Sequence, residues 1–166
     1  MGRMLFRGIV CLALVLTALG CATGISKEVR SQVTFTGDFA ELQQHPDPYT
    51  GQTVILGGKI IQSQILASGT ELVVLQLELD SVDHPQDNDQ SKGRYLVHSA
   101  QFLDPALYPQ GTLITVVGPL KETQERLIGQ MTYRYPVITA LEIKKWPVQN
   151  DTSPRFHFGI GVGKTF

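Results

Sequence analysis

Cysteine is almost missing from this chain: 166 residues contain two, at positions 11 and 21, so no disulfide framework organises it. Charge of either sign is not in excess. Fourteen basic against 15 acidic side chains leave a formal net of −1, which argues against nucleic acid or anionic headgroups as the main partner. Long apolar runs are absent too. The longest, over 8–20, falls short of the about 20 residues that a membrane-spanning helix needs. No internal repeat is present. Neither a G-x-S-x-G elbow nor an H-E-x-x-H pair occurs, and His45, His84, His98 and His157 lie far apart. The sequence therefore names no reaction and implies neither a metal nor a cofactor.

What is present begins at residue 1. Arg3 and Arg7 form a positive start, 9–19 are apolar, and Gly20 and Cys21 follow. This is the layout of a cleaved export signal. Its end resembles the lipobox of bacterial lipoproteins, in which a small residue precedes the acylated cysteine. Gly20 fits that place, whereas Ala18 stands where leucine is commoner. The competing reading is an ordinary secretory signal followed by a coincidental cysteine. Cys11, preceded by Val10 within the apolar run, is a poor candidate.

Cleavage between Gly20 and Cys21 would leave 146 residues, with 12 basic and 15 acidic side chains. Cys21 would be the sole remaining cysteine and would carry lipid. A single acyl chain holds marginally, whereas several together hold almost permanently, at about 0.8 kcal/mol per buried CH₂. Ala22 is not the aspartate that retains lipoproteins at the inner membrane, so the expected address is the periplasmic face of the outer membrane. The membrane, through the lipid, is the first partner expected. Other envelope proteins or peptidoglycan come second.

The mature chain suits one domain. Residues 21–36 are polar and read as a lipidated tether that could reach about 50 Å if extended. The domain itself is expected over 37–147. Asp38 suits a helix N-cap with Glu41 three residues on, which would bury Phe39 and Leu42. Strand signals follow at 53–61, 70–80, 93–99, 113–120, 126–135 and 137–146. Gly57-Gly58 suggests a bend or bulge in the first. In the second, Val73, Leu75, Leu77 and Leu79 share one face, opposite Gln76, Glu78 and Asp80. Asp104-Pro105 starts one helical turn between the third and fourth strands. Three strands, a short helical connection and two or three more strands fit an all-β fold. The form expected is a small OB-like Greek-key barrel of five to six strands with short helices. A two-sheet sandwich would use the same strand count.

Pro48-Tyr49-Thr50-Gly51, Gly57-Gly58-Lys59-Ile60, Gly93-Arg94-Tyr95, Phe102-Leu103-Asp104-Pro105, Tyr133-Arg134-Tyr135-Pro136 and Trp146-Pro147 stand in a characteristic order. Together with the cysteine they resemble the Slp family of outer-membrane lipoproteins, over roughly 33–147. The resemblance implies an outer-membrane lipoprotein, associated in some bacteria with starvation or stress. It brings no enzymatic activity and no catalytic residues.

Residues 148–166 are a Gly/Phe-rich tail. Its Gly159 to Thr165 stretch imitates a phosphate loop, but Phe158 stands where the first glycine belongs. Phe156, Phe158, Ile160 and Val162 alternate instead, as in an extra strand that pairs within the domain or with a partner's edge. Asp87 to Ser91 imitates a calcium loop, but Lys92 replaces the required glycine. Among the aromatics, core filling competes with stacking on a ligand. Arg94 and Tyr95 are the expected exposed pair. Two functions follow from these residues: a non-enzymatic envelope lipoprotein with a structural or interaction role, and a glycan-binding or other small-ligand module. An enzyme ranks third.

Overall fold

The computed structural model describes residues 24–88 and 90–147. The export signal, the Gly20–Cys21 junction and the 148–166 tail lie outside these residues. Within them, none of the helices is long and apolar enough to cross a membrane.

Six strands form the body: β1 (Thr53–Leu66), β2 (Gly69–Leu77), β3 (Arg94–Ser99), β4 (Leu113–Ile128), β5 (Met131–Thr139) and β6 (Glu142–Lys145). Their order is β1-β2-β3-β5-β4-β6, and β1 also pairs with β4. That last pairing closes β1, β2, β3, β5 and β4 into a ring. Without it the sheet would stay open with β1 as a free edge, so the ring decides for the barrel. The β3–β5 contact is parallel and the other pairings are antiparallel, the arrangement of an OB-like barrel.

Strand lengths differ from the sequence reading in an informative way. β4 runs on to Ile128 and turns at Gly129, whose φ is +62°, directly into β5. The expected strand over 126–135 is thus the tip of a hairpin. The strand expected over 137–146 is broken at Ala140 and Leu141, and its second part becomes β6 beside β4.

The bend expected at Gly57-Gly58 lies elsewhere. The register of β1 shifts between Ile60 and Gln62, and that of β4 between Leu120 and Glu122. The two glycines serve close approach instead. A methyl group on Gly58 would overlap Val74 and the Leu75 carbonyl, and one on Gly57 would overlap Leu79 and the Leu77 carbonyl. Their missing side chains let β2 and the segment after it lie tight on β1.

The barrel interior is filled by Val54, Leu56, Ile60, Leu72, Val74, Tyr95, Val97, Ile114, Val116, Leu120 and Ile138. Each such side chain contributes about 1.5–3 kcal/mol by leaving water. In β2 the inward set is therefore Leu72 and Val74. The leucine face expected from alternation, Val73 and Leu75 included, points outward, where other segments cover it.

Both barrel ends are stoppered. Asp38 accepts the Ala40 N–H at 3.0 Å and starts α2 (Phe39–Gln44), which drives Phe39 and Leu42 into one end. Leu103 fills the other end, its N–H donating to Thr70 Oγ1 at 2.9 Å. Asp104 organises a single hydrogen-bonded turn there rather than a helix. Its carbonyl accepts the Leu107 and Tyr108 N–H groups, and its side chain accepts that of Ala106.

From Gly24 onward, the stretch read as a tether is laid on the barrel. It holds the short helix α1 (Lys27–Arg30), capped by Ser26. Ile25 and Phe35 are buried. Ser26 donates through its N–H and hydroxyl to Glu142, Arg30 pairs with Asp83, and the Thr34 and Phe35 N–H groups donate to the Thr53 carbonyl.

Candidate functional site

OB-like barrels bind oligonucleotides or sugars on the face of β2 and β3, between the β1–β2 and β4–β5 loops. In this chain that wall is occupied by the chain itself. Val73, Leu96, Tyr133, Tyr135 and Val137 point outward, and Ile128 of the β4–β5 hairpin packs against them. The Tyr133 and Tyr135 rings lie 4.7 Å apart. The Tyr133 hydroxyl bonds to Gln43 Nε2 and accepts the Arg94 N–H at 2.7 Å, which ties wall, hairpin and α2 together.

A charged cluster fastens the hairpin. Arg126 Nη1 and Nη2 each donate to a Glu71 carboxylate oxygen at 2.6 Å. His98 Nε2 lies 2.8 Å from Glu71 Oε2, and the ionised carboxylate requires that nitrogen to donate. The Glu71 side chain is 6% exposed. Its pKa is held below the ordinary carboxylate range, first by the Arg126 bonds and then by the His98 bond, against the opposing effect of burial. Arg126 is raised in return. Such an arrangement fixes position. It leaves Glu71 a poor proton acceptor, since a proton on either oxygen would displace a donor already bonded there.

Sequence reasoning missed this cluster. Glu71, His98 and Arg126 stand on three strands, and only the register that sets Glu71 opposite His98 joins two of them. A lone glutamate within the apolar run over 70–77 was the available signal.

Arg94 and Tyr95, expected as an exposed pair, are not one. Alternation along β3 sends them to opposite sides. Tyr95 is fully buried inside the barrel, 5.9 Å from the Phe39 ring, with its hydroxyl lacking a hydrogen-bond partner. Burial pushes its pKa up. Arg94 is half-buried beside the Tyr133 hydroxyl. Among the other aromatics, Tyr135 is buried, Tyr108, Tyr133 and Trp146 are half-buried, and Phe102 is exposed.

The wall of β1, β4 and β6 is covered as well. The loop after β2 folds back so that the Asp83 carbonyl accepts the buried Thr115 hydroxyl at 2.6 Å. The Thr115 oxygen in turn accepts the Trp146 indole N–H at 2.9 Å. His84 stacks edge-on against Trp146, with centroids 4.7 Å apart. Asp80 shapes the loop by accepting the Val82 and His84 N–H groups, which lower its pKa, that of His84 contributing most.

Two grooves remain. One, of about 280 Å³, lies between the 99–108 segment and the start of β6. The other, of about 320 Å³, is open and runs beside Asp38, Gly57 and Lys92. Lys92 pairs there with Asp38 and Glu78, and this lowers the pKa of Asp38. Asp87, from the calcium-like stretch, pairs with Lys59. Among the described residues, no three His, Cys, Asp or Glu side chains gather as metal ligands would.

Comparison with known proteins adds what the geometry does not carry. The chain is 30% identical over 144 residues to an uncharacterized lipoprotein, YeaY, of Escherichia coli (strain K12), covering 87% of this chain and 74% of that one. It is 26% identical over 161 residues to the outer membrane protein Slp of the same organism, covering 94% and 85%. An uncharacterized protein of Haemophilus influenzae is 38% identical over 96 residues, covering 57% and 52%. No solved structure matches. Residues 18–160 match the outer membrane lipoprotein Slp family. The chain belongs to that family, a protein of the outer membrane held there by lipid.

Proposed function

We propose that this protein is a non-enzymatic, structural or interaction component of the cell envelope, cut after Gly20 and acylated on Cys21. A contribution under starvation or stress is part of the same reading. The occupied outer wall carries the proposal. The face on which such barrels bind sugars or bases is closed by the chain's own hairpin, which is clamped through Glu71 and Arg126. A barrel filled inside, stoppered at both ends and covered on that face offers surface to partners rather than a chamber to substrates.

Crosslinking in intact cells tests this, with the whole protein and with a form lacking residues 148–166. Discrete protein adducts support an interaction role, and their dependence on the tail would assign them to its strand. Adducts to no protein, combined with calorimetric binding of peptidoglycan fragments, would replace this reading by that of a ligand-binding module. Labelled palmitate tests the anchor: incorporation surviving in Cys21→Ser would remove Cys21 as the acylated residue.

A further inference from the structure

Gly24 does not hang free. A methyl group placed on it would lie 3.8 Å from the Val82 carbonyl oxygen and 3.9 Å from the Asp83 carboxylate. The next residue, Ile25, is 8% exposed, and Ser26 donates its N–H to Glu142 at 3.0 Å. The chain is thus fastened to the β1–β4–β6 wall from its first described residues. Cys21 stands three residues before Gly24, and three Cα–Cα steps span at most about 11 Å. The headgroup layer on one side of a bilayer takes up about 5–7 Å of that length.

We infer that this wall of the barrel rests on the lipid leaflet that holds the anchor, with Val82 and Leu141 as its contact points. The inference rests on the acylation of Cys21 proposed above. Val82 is 60% and Leu141 51% exposed, and both flank the place where the chain leaves the barrel. Val82 touches the Gly24 position, and Leu141 precedes the Glu142 that holds Ser26. Lys144, whose Nζ sits 5.7 Å from the centre of the Trp146 ring, adds a cation and an indole, groups that headgroup layers accept. Asp83 is paired with Arg30 and Glu142 accepts from Ser26, so these two do not face the lipid as bare charges, and the exposed Glu28 of α1 stands among the basic Lys27 and Arg30. The docked strap thereby turns a lead of about 50 Å into one of about 11 Å. The opposite wall, where the β4–β5 hairpin carries exposed Leu127 and Met131, faces away from the leaflet.

The test uses the full acylated protein in vesicles of phosphatidylethanolamine and phosphatidylglycerol containing a headgroup nitroxide lipid. Val82→Cys, Leu141→Cys, Leu127→Cys and Met131→Cys variants each carry an environment-sensitive fluorophore on the new thiol. Severalfold stronger quenching at 82 and 141 than at 127 and 131 is expected. Equal quenching at the four positions, with intact acyl mass and flotation, overturns the seating while leaving acylation standing. A missing acyl mass and no flotation overturn both. A Gly/Ser-rich insertion between Thr23 and Gly24 lengthens the lead and should abolish the difference. If the difference persists, the short lead is not its cause and the inference falls.

Discussion

Glu71 and Arg126, 55 residues apart in the chain, meet outside the barrel through two parallel hydrogen bonds of 2.6 Å. This pair holds the β4–β5 hairpin across β3 and onto β2. Removing the arginine strands a carboxylate that is 6% exposed. Breaking a fully buried pair costs 3–5 kcal/mol and a surface pair less than 1. Arg126 is itself 36% exposed, so Arg126→Ala should cost about 2 kcal/mol. Urea unfolding of the unlipidated form measures it, and amide exchange should speed up first in 121–135. An unchanged midpoint would show that the hairpin is held by Ile128 and the tyrosines alone.

The same pair predicts an acid dependence. Glu71 has its folded pKa lowered by Arg126 and His98, so it binds protons less readily folded than unfolded. Its stabilising contribution is full above the ordinary glutamate value of about 4.3 and is lost as pH falls through the lower folded value. Thermal midpoints measured downward from pH 5 should therefore drop more steeply for the wild type than for Glu71→Gln. Parallel curves would remove Glu71 from the acid response.

Tyr95 offers the opposite kind of change. Its ring fills the barrel, while its hydroxyl is buried without a partner. An unmet buried polar group costs about 1–3 kcal/mol. Tyr95→Phe should therefore be neutral or up to about 1 kcal/mol stabilising, whereas Tyr95→Ala should cost about 3–5 kcal/mol. Chemical denaturation of both variants separates ring from hydroxyl. Destabilisation by Tyr95→Phe would mean that the hydroxyl has a partner after all.

Gly58 and Gly129 should respond differently to alanine. At Gly58 the new methyl meets Val74 and a β2 carbonyl, and overpacking of this kind costs about 1–3 kcal/mol. Gly129 has open space around it and only its φ of +62° to resist, worth about 1–2 kcal/mol. Amide exchange distinguishes the two. Gly58→Ala should loosen the β1–β2 pairing, and Gly129→Ala should loosen only the hairpin tip.

Much of the fold was legible from one-dimensional patterns. Asp38 capping a helix that buries Phe39 and Leu42 follows from residues within one turn of each other, as do the period-two strands and the Asp104 turn. Where the reading slipped, the reason was covering rather than pattern. Val73 alternates as expected, yet it points outward, where Ile128 of the hairpin packs against that wall. Leu72 and Val74 enter the core instead. Nothing local distinguishes the two faces of β3, so the burial of Tyr95 is not legible in the sequence.

By itself the sequence determined the export signal pattern, Cys21 as the expected lipid carrier, the all-β class and the Slp resemblance, because each rests on residues adjacent or regularly spaced along the chain. Tertiary structure decided what depends on distant segments meeting. The β1–β4 pairing made a barrel rather than a sandwich. The Glu71–Arg126 clamp closed the face where a ligand would be expected. Ile25, Ser26 and Arg30 docked the supposed tether. The reason is physical: local propensity selects strands and turns, but which strand face is wet depends on what the rest of the chain lays over it.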